Sequence, residues 1–121
     1  MVRSSKKEEM IEKLQTVMAD EIKSGSEHMA GETEELIWNA VSAFQQEKFY
    51  TAKGLQFTYE VKGNEMFVDR KDKSITRATV CVAVETAMAL RRTGIAISGP
   101  KKLGTFGASY LYPVFLKLGI I

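Results

Sequence analysis

Residues 55–70, LQFTYEVKGNEMFVDR, decide the fold class of this chain. Apolar and polar residues alternate through residues 55–62, which is the period of a β-strand with one buried face. Residues 62–64, Lys-Gly-Asn, form a turn sequence, and residues 65–70 continue as a second strand. The stretch therefore predicts an antiparallel β-hairpin.

An isolated two-stranded hairpin is marginally stable in water, so this one needs further packing partners. Residues 49–51 and 95–97 are short apolar segments that are candidates for a third strand. Helices packed on one face of the hairpin would bury it equally well. Either arrangement gives an α+β domain.

The N-terminal segment predicts an amphipathic helix over residues 5–23. Ser5 and Glu8 have the spacing of a capping box, and Gly25 suits the helix end. One face carries apolar residues at three- or four-residue spacing: Met10, Ile11, Leu14, Val17, Met18 and Ile22. Two roles of residues 1–25 stay open, because this stripe would serve either in the core or, at the periphery, as the contact of a homodimer.

Four further helical segments follow from periodicity and from the placement of Pro and Gly. The predicted segments are residues 32–48, residues 76–92, a short helix from Pro100 to Gly104, and a last helix from residue 107 or 108 to residue 118. We therefore predict one α+β domain over residues 1–121. It is mostly helical, with one antiparallel hairpin, in the order α-α-β-β-α-short α-α.

Composition argues against several classes of protein. No apolar run approaches the roughly 20 residues of a membrane span, and residues 1–7 are followed by charged residues, unlike a signal peptide. Cys81 is the single cysteine, which favours a reducing cytoplasm. His28 is the single histidine, and no His, Cys or carboxylate cluster has metal-ligand or catalytic spacing. We therefore expect no enzyme, no metal and no cofactor.

Charge is distributed unevenly along the chain. Residues 1–54 carry seven Lys or Arg against ten Asp or Glu, whereas residues 55–121 carry ten against five. Glu85 is the last acidic residue, so the whole C-terminal third is free of acids. A basic segment of this kind favours an anionic partner. The alternative, that the two halves simply attract each other, stays open.

The C-terminal residues resemble a family of DNA-binding domains. Residues 103–104 (Leu-Gly), residues 109–112 (Ser-Tyr-Leu-Tyr) and residues 116–120 (Leu-Lys-Leu-Gly-Ile) follow one another as in the second and third helices of helix-turn-helix and winged-helix domains. The likeness covers residues 101–120. It departs from the family pattern in the turn at residues 105–107, which is one residue too long, and at Pro113, inside the segment that corresponds to the recognition helix.

This resemblance implies two sets of contacts with DNA. Side chains of the last helix would approach the major groove: Ser109, Tyr110 and Tyr112. Basic side chains would meet phosphates, with the hairpin as a displaced wing: Lys71, Lys73, Arg77, Lys101, Lys102 and Lys117. The function predicted from the resemblance is that of a small DNA-binding protein that regulates transcription.

Two other interpretations of the C-terminal segment stay open. In the first, the chain is a protein-interaction or adaptor module without nucleic-acid binding, and residues 110–121 bury in a partner that the uneven charge orients. In the second, Tyr110, Tyr112 and Phe115 belong to the core of the domain and the lysines form a solvated face.

Overall fold

The computed structural model of this chain describes residues 5–121. Within that range it contains four α-helices, one 3-10 helix and five strands, which confirms the predicted α+β class. In chain order these are α1 (Lys6–Ser24), α2 (Gly31–Ala43), β1 (Phe49–Tyr50), β2 (Gln56–Phe57), β3 (Tyr59–Lys62), β4 (Glu65–Val68), β5 (Ile75–Thr76), α3 (Arg77–Arg92), the 3-10 helix (Pro100–Leu103) and α4 (Ala108–Leu118). Residues 1–4 lie outside the described residues. They are the start of the predicted segment 1–25 and part of residues 1–7, which were compared with a signal peptide.

The predicted hairpin is present as β3 and β4, which pair antiparallel from Tyr59 opposite Val68 to Lys62 opposite Glu65. The prediction of its third strand was wrong. Neither residues 49–51 nor residues 95–97 join it; β5 does, with the fully buried Ile75 opposite Met66. Both residues point to the core, which gives these two short segments a reason to pair.

The single strand predicted over residues 55–62 is divided into two, so the prediction of one hairpin is corrected to two small antiparallel sheets. Its first part, β2, pairs with β1, placing Phe57 opposite Phe49. The division falls at Thr58, whose backbone N–H donates to Oδ1 of Asp69 at 3.1 Å instead of to a strand. The rings of Phe49 and Tyr59 stack at 5.8 Å, so the two sheets share one core.

The predicted helix starts are mostly confirmed, whereas the end of the second helix was placed too late. Ser5 accepts from the N–H of Glu8 and caps α1 as expected. α2 ends at Ala43 and not at residue 48, because Gln46 turns to φ 70° and donates its N–H to the carbonyl of Tyr59 at 2.8 Å. This bond ties the end of α2 to β3.

The apolar stripe of α1 belongs to the core of the domain. Leu14 and Met18 are fully buried, and α1 packs against α2, α3 and α4. α4 is also central, because one of its faces is buried throughout: Leu111, Val114, Phe115 and Leu118. Pro113 lies inside α4 without ending it. Among residues 5–121, no helix has both the length and the apolarity needed to cross a bilayer.

Candidate nucleic-acid interface

Two lysine side chains from the loop between β4 and β5 converge on one aromatic ring of the C-terminal segment. The ammonium nitrogen of Lys71 lies 5.1 Å, and that of Lys73 4.9 Å, from the centre of the Phe106 ring. Both distances allow a cation–π attraction. We call Lys71, Lys73 and Phe106 the Phe106 cluster. Both positive charges therefore lie beside the same ring.

Contacts on both sides hold the cluster together. On the loop side, Asp69 accepts from the backbone N–H of Thr58, which fixes the start of the loop. On the other side, Gly107 packs so closely on β5 that an added Cβ would lie 2.4 Å from Cδ1 of Ile75. The turn that carries Phe106 therefore rests directly on the strand that follows the two lysines.

The remaining charges of the loop leave the cluster positive. Arg70 and Asp72 are both exposed, and within the described part of the chain neither forms an ion pair. Asp69 is engaged by Thr58. Among residues 5–121, neither lysine has a carboxylate partner that a phosphate would have to displace.

A shallow cavity adjoins the Phe106 ring on the α3 side. Its volume is about 250 Å³, and it is lined by Ala78, Thr79, Val82, Thr105 and Phe106. Val82 is 53% exposed and Phe106 is 39% exposed, so two large apolar side chains face solvent here. The cavity is smaller than the roughly 300–1,000 Å³ of clefts for drug-sized ligands, and suits a single ring or side chain.

The predicted phosphate contacts Lys101, Lys102 and Lys117 are exposed but lie on other elements. Lys101 and Lys102 belong to the 3-10 helix, whose end precedes the turn that carries Phe106. Four residues span at most about 14 Å, so Lys102 is close to the cluster along the chain. Lys117 lies in the last turn of α4, and no described contact links it to the cluster.

The three residues predicted to approach the major groove differ in their surroundings. Ser109 is exposed. The ring of Tyr110 meets the ring of Phe57 edge-on at 5.0 Å, and the hydroxyl of Tyr112 donates to the carbonyl of Ile97 at 3.4 Å. Both tyrosines are half-buried and already have partners within the domain, so α4 presents little free surface.

Arg77 belongs to an ion-paired group with α2. Its Nε donates to Glu34 at 3.2 Å, and its terminal nitrogen donates to Glu35 at 2.7 Å. These bonds, first that to Glu35, raise the pKa of Arg77 above its ordinary value. A phosphate contact by Arg77 would have to replace two carboxylates.

Cys81 and His28, the single cysteine and the single histidine, belong to no metal-binding group among residues 5–121. Burial, followed by the charge of Glu34, raises the pKa of the Cys81 thiol to about 12, so it is protonated at neutral pH. The side chain of His28 is 82% exposed and lies 3.3 Å from Glu85. In the described part of the chain, no three His, Cys, Asp or Glu side chains are grouped closely enough to hold a metal ion.

Sequence reasoning missed Phe106, although it named both lysines that meet it. A signal was present, because Phe106 stands in a Gly-Thr-Phe-Gly turn, where an aromatic side chain has few neighbours. Its partners come from a loop more than 30 residues earlier, and only the tertiary structure reveals that proximity. Val82 was missed because an apolar residue inside a helix predicts a buried position.

Thr105 carries a buried hydroxyl oxygen that has no hydrogen-bond partner within the described residues. Such a group costs about 1–3 kcal/mol relative to a satisfied one. We expect Thr105→Val, which keeps the shape, to raise the free energy of unfolding in urea by about 1 kcal/mol. The control is Thr79→Val, which removes a hydroxyl that is hydrogen-bonded to the hydroxyl of Thr76 at 3.0 Å. This variant should lower the free energy of unfolding. A loss of stability in both variants would contradict the expectation.

Comparison of the chain with protein-family models, curated proteins and solved structures gave no match. The functional interpretation therefore depends on the residues of this chain alone.

Proposed function

We propose that this domain binds DNA through phosphate contacts centred on the Phe106 cluster. The observation that carries the proposal is the convergence of Lys71 and Lys73 on the exposed ring of Phe106. Lysine side chains attract the phosphate backbone of any sequence, and binding releases the counterions condensed on DNA. Affinity should therefore depend strongly on salt.

The charge around the cluster supports this proposal. Lys101 and Lys102 lie just before the turn that carries Phe106, on a segment that has no acidic residue after Glu85. A surface of one sign raises the rate of encounter with a polyanion. Lys71, Lys73, Lys101 and Lys102 then form one set of candidate phosphate contacts. This set does not depend on a helix-turn-helix arrangement.

In the alternative function, residues 110–121 bury in a protein partner. Few apolar side chains of this segment are exposed and able to form such an interface. Leu111, Val114, Phe115, Leu118 and Ile120 are fully buried inside the domain itself. Leu116, half exposed, is the one large apolar residue of this segment that faces solvent freely. We therefore favour nucleic acid over a protein as the partner.

The double charge reversal Lys71→Glu with Lys73→Glu is expected to weaken DNA binding by at least about tenfold at low salt. It should also make the slope of log affinity against log salt less steep by about 1.5 to 2, because each lost phosphate contact removes about 0.7 on a single strand and about 0.9 on a duplex. Fluorescence anisotropy of a labelled random-sequence oligonucleotide measures both quantities.

The matched control reverses two exposed lysines elsewhere, Lys13 on α1 and Lys48 before β1, for which the described residues show no ion pair. It changes the net charge by the same amount. An equal loss of affinity in both double variants would mean that net charge, and not this site, governs binding. Unchanged binding after reversal of Lys71 and Lys73 would refute the site.

Two finer parts of the proposal concern setting and assembly. We place the protein in the cytoplasm, where the free thiol of Cys81 would stay reduced. A homodimer through α1 would have to use the exposed face of that helix, because Leu14 and Met18 are already buried in the core. Analytical ultracentrifugation tests the dimer directly.

A further inference from the structure

We propose that the Phe106 cluster selects single-stranded DNA by taking one unstacked base into the cavity between Phe106 and α3. The phosphates that flank this base would then be bound by Lys71 and Lys73. This inference rests on the proposed function, since it names the form of DNA that the same site binds.

The exposed aromatic ring is the first argument. Phe106 stands in a turn between Gly104 and Gly107, which have φ of +65° and +74°. Single exposed apolar residues are common and need no explanation. This ring, however, is continuous with a cavity and accompanied by two cations. Aromatic side chains beside a basic groove are how proteins bind single strands without sequence preference, because every base has a face that stacks.

The cavity is the second argument. The side chains of Ala78, Val82 and Phe106 line it, so a flat ring that enters it meets apolar atoms. Its volume of about 250 Å³ leaves room for a single ring system. In a duplex, each base is stacked between its neighbours and would have to be extruded at a cost in free energy. This free-energy cost is lowest for a base in a single strand.

The behaviour of the lysines is the third argument. Before binding, both ammonium groups rest near the ring face, where the attraction is modest. When a base covers the ring, each can move to a phosphate, because a lysine is a point charge on a flexible stem. A charge-assisted bond to phosphate is stronger than the contact it replaces.

The placement of α4 argues against a duplex. A recognition helix must present a free face to the major groove. α4 buries Leu111, Val114 and Phe115, and both of its tyrosines have partners inside the domain. Among its residues, only Ser109, Leu116 and Lys117 are exposed.

The test compares three labelled oligonucleotides of about 12 nucleotides by fluorescence anisotropy at one low salt concentration. They are a mixed-sequence single strand, the same sequence as a duplex, and a single strand of abasic sites with the same phosphates. We expect the single strand to bind at least about tenfold more tightly than the other two. Phe106→Ala should remove this preference, because it should weaken binding of the mixed-sequence strand more than binding of the abasic strand. Phe106→Tyr should keep the preference, because a tyrosine ring also stacks on a base.

Phe67→Ala is the matched control, because Phe67 is 38% exposed on β4 and has the ammonium group of Lys62 at 5.8 Å from its ring. It should change nothing. If wild type binds the duplex equally well and Phe106→Ala has no effect, the proposed function stands and this inference fails. If no oligonucleotide binds, both fail. Binding of an acidic peptide with one aromatic residue, and of no oligonucleotide, would reassign the cavity to a protein partner.

Discussion

Phe115→Ala should lower the free energy of unfolding by about 3–5 kcal/mol, the usual cost of removing a buried phenylalanine. Phe115 is fully buried on the inner face of α4, the helix that contacts α1, α2 and β1. Truncation would leave a cavity that these elements cannot fill without moving. Urea denaturation monitored by circular dichroism measures the loss.

The neighbouring substitution Leu116→Ala is the control, since Leu116 is half exposed on the opposite face of α4. Its effect on stability should stay within about 0.5 kcal/mol. The pair separates two interpretations of the C-terminal segment. A small effect of Phe115→Ala on stability, together with the loss of an oligomer, would show that this face belongs to an interface and not to the core.

Gly107→Ala should lower the free energy of unfolding by about 2–4 kcal/mol, for two reasons that add. Gly107 has φ of +74°, a left-handed conformation that costs an alanine about 1–2 kcal/mol. The new methyl group would also lie 2.4 Å from Cδ1 and 2.7 Å from Cγ1 of Ile75. Ile75 is fully buried and stiff at χ1, so it cannot move away without disturbing β5.

Gly104→Ala separates these two causes. Gly104 has φ of +65°, and nothing lies within 4 Å of the Cβ that would be added. It should therefore lose only the backbone part, about 1–2 kcal/mol. An equal loss in both variants would show that Ile75 yields easily. Because Gly107 also holds the turn against β5, we expect Gly107→Ala, and not Gly104→Ala, to weaken oligonucleotide binding in protein that is still folded.

The sequence predicted what depends on local patterns. Alternation identified β3 and β4, and the hydroxyl of Ser5 and the glycine after Ser24 marked both ends of α1. The errors arose where a long-range bond overruled the local pattern. Gln46 stops α2 early because its N–H is taken by Tyr59, and Thr58 divides a strand because Asp69 takes its N–H.

The candidate site shows the same limit. The resemblance to helix-turn-helix domains pointed to Lys71 and Lys73, and also to Ser109 and the two tyrosines. It could not tell that the tyrosines already have partners in the domain. The meeting of the loop with Phe106 was also beyond local patterns, because it depends on how Gly107 packs against Ile75.

The most direct test of the account is the salt dependence of binding of a labelled single-stranded oligonucleotide to the wild-type protein. If Lys71, Lys73, Lys101 and Lys102 each neutralise one phosphate, log affinity should fall against log salt with a slope of about −3. A slope near zero, or no binding at about 50 mM salt, would contradict the claim that this surface binds the nucleic-acid backbone.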